Sequence, residues 1–300
     1  MSRATLPSGI ELEYDTFGSP DDPALLLVMG FTAQMTAWSP AFCERLASGG
    51  RHVIRFDNRD CGLSSKLDGV EVDGGAVMLA AMSGAELPAV PYTLSDMAAD
   101  GIGLLDHLGI DRAHVAGASM GGMIVQTMAI EHPARLLSVT SIMSTVGDPA
   151  YGAASPEAME VLLRPPAADR DAIVAGAADF AVWSSKKYFD ADLARELAAA
   201  NYDRSFYPEG APRQLAAIFA SGDRSESLAQ VDLPFLVVHG LDDRLIDPSG
   251  GQRTADLVPG AHLLLVSDMG HDLPEPLWPL VTAAIIGVGD IASADVAVSA

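Results

Sequence analysis

The sequence predicts an α/β fold: a mostly parallel, doubly wound sheet with a helical cap inserted before the penultimate strand. Three observations predict it. Short, almost purely apolar runs recur at Ala24–Met29, His52–Phe56, Ala113–Ala116 and Phe235–Val238, as strands do when helices cover both faces and neither side meets water. Helix-like stretches alternate with these runs, which is the signature of a parallel sheet. One long stretch, Asp148 to Gln230, breaks the alternation and carries helical patterns without a strand.

Each element follows in chain order. Ile10-Glu11-Leu12-Glu13-Tyr14 alternates apolar and polar, as a half-buried edge strand does. The strand Ala24–Met29 leads to a helix over Thr36–Ala47, and His52–Phe56 follows as the next strand. Asp68 to Pro91 is a long connection containing glycine and methionine, with one or two helical turns at Val77–Met82. A helix over Thr93–Leu108 opens on Thr93 and Asp96, which are spaced as a capping box. The strand Ala113–Ala116 runs into a helix over Met120–Glu131, and Leu136–Met143 is a further strand carrying Ser and Thr. The insertion then reads as about four helices, at Pro156–Leu163, Asp171–Ala181, Asp192–Asn201 and Pro212–Phe219. Pro165-Pro166 and Tyr207-Pro208-Glu209-Gly210 punctuate it. Phe235–Val238 and Leu263–Val266 close the sheet, and the small residues from Gly287 to Ala300 read as a mobile tail. The expected organisation is a sheet core over 1–147 and 231–300 with a helical cap over 148–230.

Composition narrows the function. The 300 residues are 49% apolar and 19% charged, enough to bury a sizeable core without disulfide staples. Eighteen Lys and Arg against forty Asp and Glu leave a net charge of −22. Such a chain is repelled by phosphate backbones and anionic lipid, so neither nucleic acid nor a membrane surface is an expected partner. Its field favours neutral or cationic small molecules. Two cysteines, Cys43 and Cys61, make no disulfide framework and suit a reducing compartment. The first residues lack an apolar stretch of leader length, and the longest central uncharged run, Val115 to Ile130, is too short to span a bilayer. A cytoplasmic protein is expected, with self-association left open.

The sharpest signal is Gly117-Ala118-Ser119-Met120-Gly121-Gly122, a G-x-S-x-G motif placed directly after an apolar strand and before a helix. That context is what its chemical reading requires. Small neighbours permit a tight turn that lifts Ser119 Oγ off the strand end. The Met120 N–H, with the helix N-terminus behind it, then points at an oxyanion forming on the substrate.

A serine hydroxyl needs a base held by a third group. Seven histidines compete. His52, His114 and His239 lie in or beside strands, where a satisfied core or edge histidine is the simpler reading. His107 and His132 fall on helices, and His262 precedes a strand. His271 sits in Ser267-Asp268-Met269-Gly270-His271, a loop just past the last strand, from which it can reach the sheet's carboxyl edge. For the acid, Val238-His239-Gly240-Leu241-Asp242-Asp243 places two carboxylates beyond another buried strand. Both could simply close an Asx turn. Spacing favours Asp243 over Asp242, with Asp247 third. The order Ser119, Asp243, His271 is that of an α/β hydrolase and of neither common protease fold.

These residues carry a family resemblance. From Ile10 to a helix near Leu277–Ile286 the chain resembles α/β-hydrolase-fold serine hydrolases, and among them it is similar to actinobacterial enzymes of the aclacinomycin methylesterase kind, which tailor anthracycline antibiotics. The likeness is densest in Pro7-Ser8-Gly9, Asp22–Gly30 and His52–Asp57. The superfamily's D-x-R-G-x-G-x-S segment stands as Asp57-Asn58-Arg59-Asp60-Cys61-Gly62-Leu63-Ser64, with Asp60 in place of a glycine. The resemblance implies that Phe31, after Met29-Gly30, supplies the second oxyanion N–H beside Met120. It also implies an ester substrate, a methyl ester of a polyketide-like acid being one form.

The expected reaction is cleavage of a small-molecule ester through an acyl-enzyme, and this chemistry needs no metal and no organic cofactor. Lactone hydrolysis, carbon–carbon bond hydrolysis and cofactor-free perhydrolysis use the same residues, and a hydrolase-fold ligand sensor can keep them too. Met78, Met82, Trp183, Tyr188, Phe189, Tyr202 and Phe206 could line an apolar site under the cap, or form the cap's own core.

Overall fold

In a computed structural model, residues 2–298 other than 166 and 168 are described. From residue 292 onward only the backbone path is described. The chain opens with β1 (Ser2–Thr5), β2 (Glu11–Phe17) and β3 (Ala24–Val28), followed by α1 (Pro40–Ser48) and β4 (His52–Phe56). Next come α2 (Gly74–Ser83), α3 (Leu94–His107), β5 (Ala113–Ala118), α4 (Met120–Glu131) and β6 (Leu136–Ile142). The insertion contributes α5 (Pro156–Leu162), α6 (Arg170–Gly176), α7 (Ala191–Arg204), α8 (Gly210–Ala220) and α9 (Ser225–Leu228). The chain ends with β7 (Phe235–Gly240), α10 (Ser249–Leu257), β8 (His262–Val266) and α11 (Trp278–Val298). No helix among the described residues is long and apolar enough to cross a membrane.

The sheet has eight strands in the order β1-β2-β4-β3-β5-β6-β7-β8. β2 pairs antiparallel with both β1 and β4, and every pairing from β4 to β8 is parallel. Side chains alternate between two cores, as strand geometry requires. Leu26, Val28, Val115, Phe235 and Val237 enter one, and Leu25, Leu27, Ala116, Leu236 and Val238 the other. This double burial is why the strands read as unbroken apolar runs.

Several boundaries differ from the sequence expectation. The helix expected over Thr36–Ala47 is split: a single 3-10 turn, Met35–Ala37, precedes α1, which starts only after Ser39. Ser39 Oγ accepts from Phe42 N–H at 3.2 Å, and Pro40 takes the first helical position. The helix expected at Val77–Met82 is longer. Asp73 caps it by accepting from Ala76 N–H, and Gly84 ends it in the left-handed region at φ +67°. β1 had no apolar signal, because it is an edge strand with three exposed residues. The insertion holds a further short helix, α9, and a 3-10 turn over Ala177–Val182 beyond the four expected. The expected tail is instead helical to Val298: Val281, Ile285 and Val288 on α11 are buried against the sheet, and the Ala-rich chain simply continues the helix. Pro166 and the last two residues lie outside the described residues.

Asp60 shows what its non-glycine identity brings. Its φ is +62°, a conformation that favours glycine and explains that residue in the family pattern. Here the carboxylate is fully buried and forms a two-pronged pair with Arg213 of α8, both contacts at 2.8 Å. It also accepts from Tyr92 Oη–H and Leu67 N–H. Asp60 thereby ties the insertion to the core. Asp60→Asn keeps tolerance of the left-handed backbone but leaves Arg213 buried without its counter-charge. It is expected to cost roughly 3 kcal/mol of stability, read as a lower urea midpoint with an unchanged m-value.

Candidate active site

The carboxyl ends of the parallel strands converge on one edge, where open α/β sheets bind ligands. At the end of β5, Ser119 adopts φ 57° and ψ −122°, a strained conformation held by its surroundings. The glycines around it explain how. A Cβ on Gly117 would overlap the Gly121 carbonyl, and one on Gly121 would overlap the Val28 carbonyl. Only glycine lets α4 begin so close to β3 and β5. Ser119 N–H donates to Ile142 O at 2.9 Å, and Ser144 Oγ–H donates to Ser119 O at 2.8 Å. The turn is fixed from both sides.

His271 lies in the loop after β8. Its Nε2 is 2.9 Å from Ser119 Oγ and its Nδ1 is 2.7 Å from Asp243 Oδ2. Asp243 follows β7, and its Oδ1 accepts from Leu245 N–H and Ile246 N–H, each at 2.9 Å. Burial alone would raise this carboxyl, but the attraction of His271 and hydrogen bonds from His239 and His271 outweigh it, bringing it down to about 2. An ionised Asp243 only accepts. Nδ1 of His271 therefore carries the proton, and Nε2 is free to accept from Ser119 Oγ–H.

The same structure separates the rival acids. Asp242 pairs with Lys186 Nζ at 2.9 Å on the exposed side, and Asp247 Oδ1 accepts from Ser249 N–H. Among the described residues, neither is hydrogen-bonded to His271. Among the other histidines, His114 sits near the opposite end of the sheet against Ser138 Oγ, held down to about 4 by burial. His107 packs edge-on against Tyr14.

Met120 N–H opens α4 and has no helical acceptor. Phe31 follows Gly30, whose own Cβ would lie 2.9 Å from Ser119 Cβ. Both N–H groups make no hydrogen bond among the described residues.

The α/β hydrolase fold family model matches residues 23–275. The chain belongs to the α/β-hydrolase fold family. This hydrolase is 27% identical to rhodomycin D methylesterase DauP from Streptomyces sp. strain C5, covering 95% of this chain and 96% of that one. It is also 27% identical to rhodomycin D methylesterase DnrP from Streptomyces peucetius, covering 92% and 94%. An enol-lactonase structure from Burkholderia xenovorans LB400 shares the fold with a TM-score of 0.73 at 22% identity, covering 96% of this chain and 99% of that one.

Other residues of this hydrolase support the site without any motif to announce them. Trp183 O accepts from His271 N–H at 2.7 Å, and Asp272 Oδ1 accepts from Ser185 N–H and Gly270 N–H. The insertion thus grips the histidine loop. Gln214 of α8, fully buried, accepts from Thr32 N–H at 2.8 Å and donates to Arg59 O at 2.9 Å. Thr32 sits at φ +56° directly after Phe31, so this bond fixes the strained loop beside the serine. Of the apolar side chains expected under the insertion, Met82 is 72% exposed, and Phe206 stacks on Tyr202 at 4.7 Å. Burial pushes the Cys43 and Cys61 thiols up to about 12, which leaves them protonated and unreactive at neutral pH.

Proposed function

We propose that this ester hydrolase cleaves a carboxylic ester, a methyl ester in its main form, of an apolar polyketide-like small molecule through an acyl-enzyme on Ser119. The observation that carries the reading is the unbroken hydrogen-bonded chain from Ser119 through His271 to Asp243 at the sheet's carboxyl edge. The two relatives named as rhodomycin D methylesterases support the methyl ester. The net charge of −22 favours a neutral or cationic substrate.

In this reading Ser119 Oγ attacks the ester carbonyl as its proton passes to His271 Nε2. Asp243 stabilises the resulting imidazolium, and the N–H groups of Phe31 and Met120 hold the tetrahedral oxyanion. Collapse breaks the bond to the alcohol, which leaves with the proton from His271. Water then repeats the sequence on the acyl-enzyme, releasing the acid and restoring Ser119. Helices α5–α9, over residues 148–230, act as the cap that encloses the acyl group.

The test is labelling with a fluorophosphonate followed by mass mapping, alongside turnover of aryl-polyketide methyl esters and matched lactones. Modification at Ser119 with preferential methyl-ester cleavage is expected. A folded protein that stays unlabelled overturns the nucleophile, and preferential lactone opening overturns the substrate class.

A further inference from the structure

A second histidine lies behind the carboxylate of Asp243. His239, near the end of β7, is fully buried. Its Nε2 is 2.8 Å from Ile246 O and 3.3 Å from Asp243 Oδ2, the same oxygen that faces His271 Nδ1 at 2.7 Å. A carbonyl oxygen only accepts, so His239 Nε2 bears a proton. The other ring nitrogen, Nδ1, is buried and has no hydrogen-bond partner among the described residues. The backbone of α10 presses against it: a Cβ on Gly251 would overlap Nδ1. A proton there would be a buried donor with no acceptor. The cage therefore fixes the ring with its Nε2–H on Ile246 O.

We infer that His239 is a positioning residue for the acid: its Nε2–H, anchored on Ile246 O, lies against Asp243 Oδ2 as a secondary contact that keeps this oxygen aimed at His271 and limits how strongly it draws the proton of the imidazolium. The inference rests on the role proposed for Asp243. With Oδ1 filled by two backbone N–H groups, Oδ2 lies between His271 Nδ1 at 2.7 Å and His239 Nε2 at 3.3 Å. The titratable groups facing this carboxylate are His271 and His239, with Asp272 next along the loop. Each donor to a carboxylate lowers its basicity. Removing the His239 donor makes Asp243 more basic, stabilises the His271 imidazolium and raises the proton affinity of His271. The acid limb of the kcat/KM profile then moves to higher pH.

The experiment measures kcat/KM against pH for ester cleavage by the wild type, His239→Leu, His239→Gln, His239→Asn and Asp243→Asn. His239→Leu is expected to shift the acid limb up by about one pH unit, which lowers kcat/KM by up to about tenfold along that limb. His239→Gln, which keeps an N–H near the Nε2 position, restores the limb, whereas His239→Asn, whose amide falls short of it, does not. A folded His239→Leu enzyme with the wild-type limb overturns the inference. If His239→Leu does not fold, identical profiles for the Gln and Asn variants overturn it instead. Asp243→Asn with retained activity removes the underlying role of Asp243, and so fails separately.

Discussion

Ser119→Ala is expected to lower kcat for ester cleavage by about 10⁵- to 10⁶-fold while leaving the fold and substrate binding nearly unchanged. The substitution removes one hydroxyl, whose hydrogen-bond partner among the described residues is His271 Nε2. Alanine does not relieve the φ of 57°, so the strained turn persists because the packing of Gly117 and Gly121 still imposes it. Residual turnover would come from the N–H groups of Phe31 and Met120 and from binding. Single-turnover assays with circular dichroism on the same preparation check both halves. Wild-type turnover in a folded variant would assign the reaction to another nucleophile.

The second large effect is expected at Asp243. Its Oδ1 accepts from two backbone N–H groups, so the amide of Asp243→Asn is forced to place its oxygen there. The NH₂ then faces His271, which must accept at Nδ1 and carry its proton on Nε2. That tautomer cannot take the serine proton, and kcat should fall about 10⁴-fold. Asp242→Asn, by contrast, breaks only an exposed pair with Lys186 and should change kcat less than about twofold. A pH–stability comparison reads the same carboxyl. Its depression to about 2 contributes stability that is complete above the ordinary carboxyl range and lost as pH falls through about 2, so the gap between wild type and Asp243→Asn should close on acidification.

Much of the fold was legible because it is local. Doubly buried strands announce themselves as apolar runs, and the Thr93–Asp96 capping box marks its helix, where Asp96 accepts from Thr93 N–H at 2.8 Å. The Ser39-Pro40 start of α1 is a local signal of the same kind, a cap followed by proline at the first helical position. β1 and the extension of α11 were not announced, since a four-residue edge strand and an Ala-rich terminus carry little periodicity. Ser119 was legible because the strained turn needs small residues within two positions of it. Asp243 was preferred by spacing alone, and the structure separates it from Asp242 by which carboxylate faces inward. His239 read as a core histidine, and so it is, but one whose buried contact is the candidate acid.

The sequence by itself determined the sheet, the place of the insertion and the turn that presents Ser119, because backbone sterics and burial act over a few residues. The tertiary structure decided what crosses the chain. The Ser119–His271 contact spans 152 residues and the Thr32–Gln214 contact 182. No local pattern encodes the grip of α8 on the loop beside Phe31, or the cage that fixes His239. Each depends on side chains that meet only after the sheet has stacked its strand ends, when a buried donor must find whichever acceptor the packing brings to it.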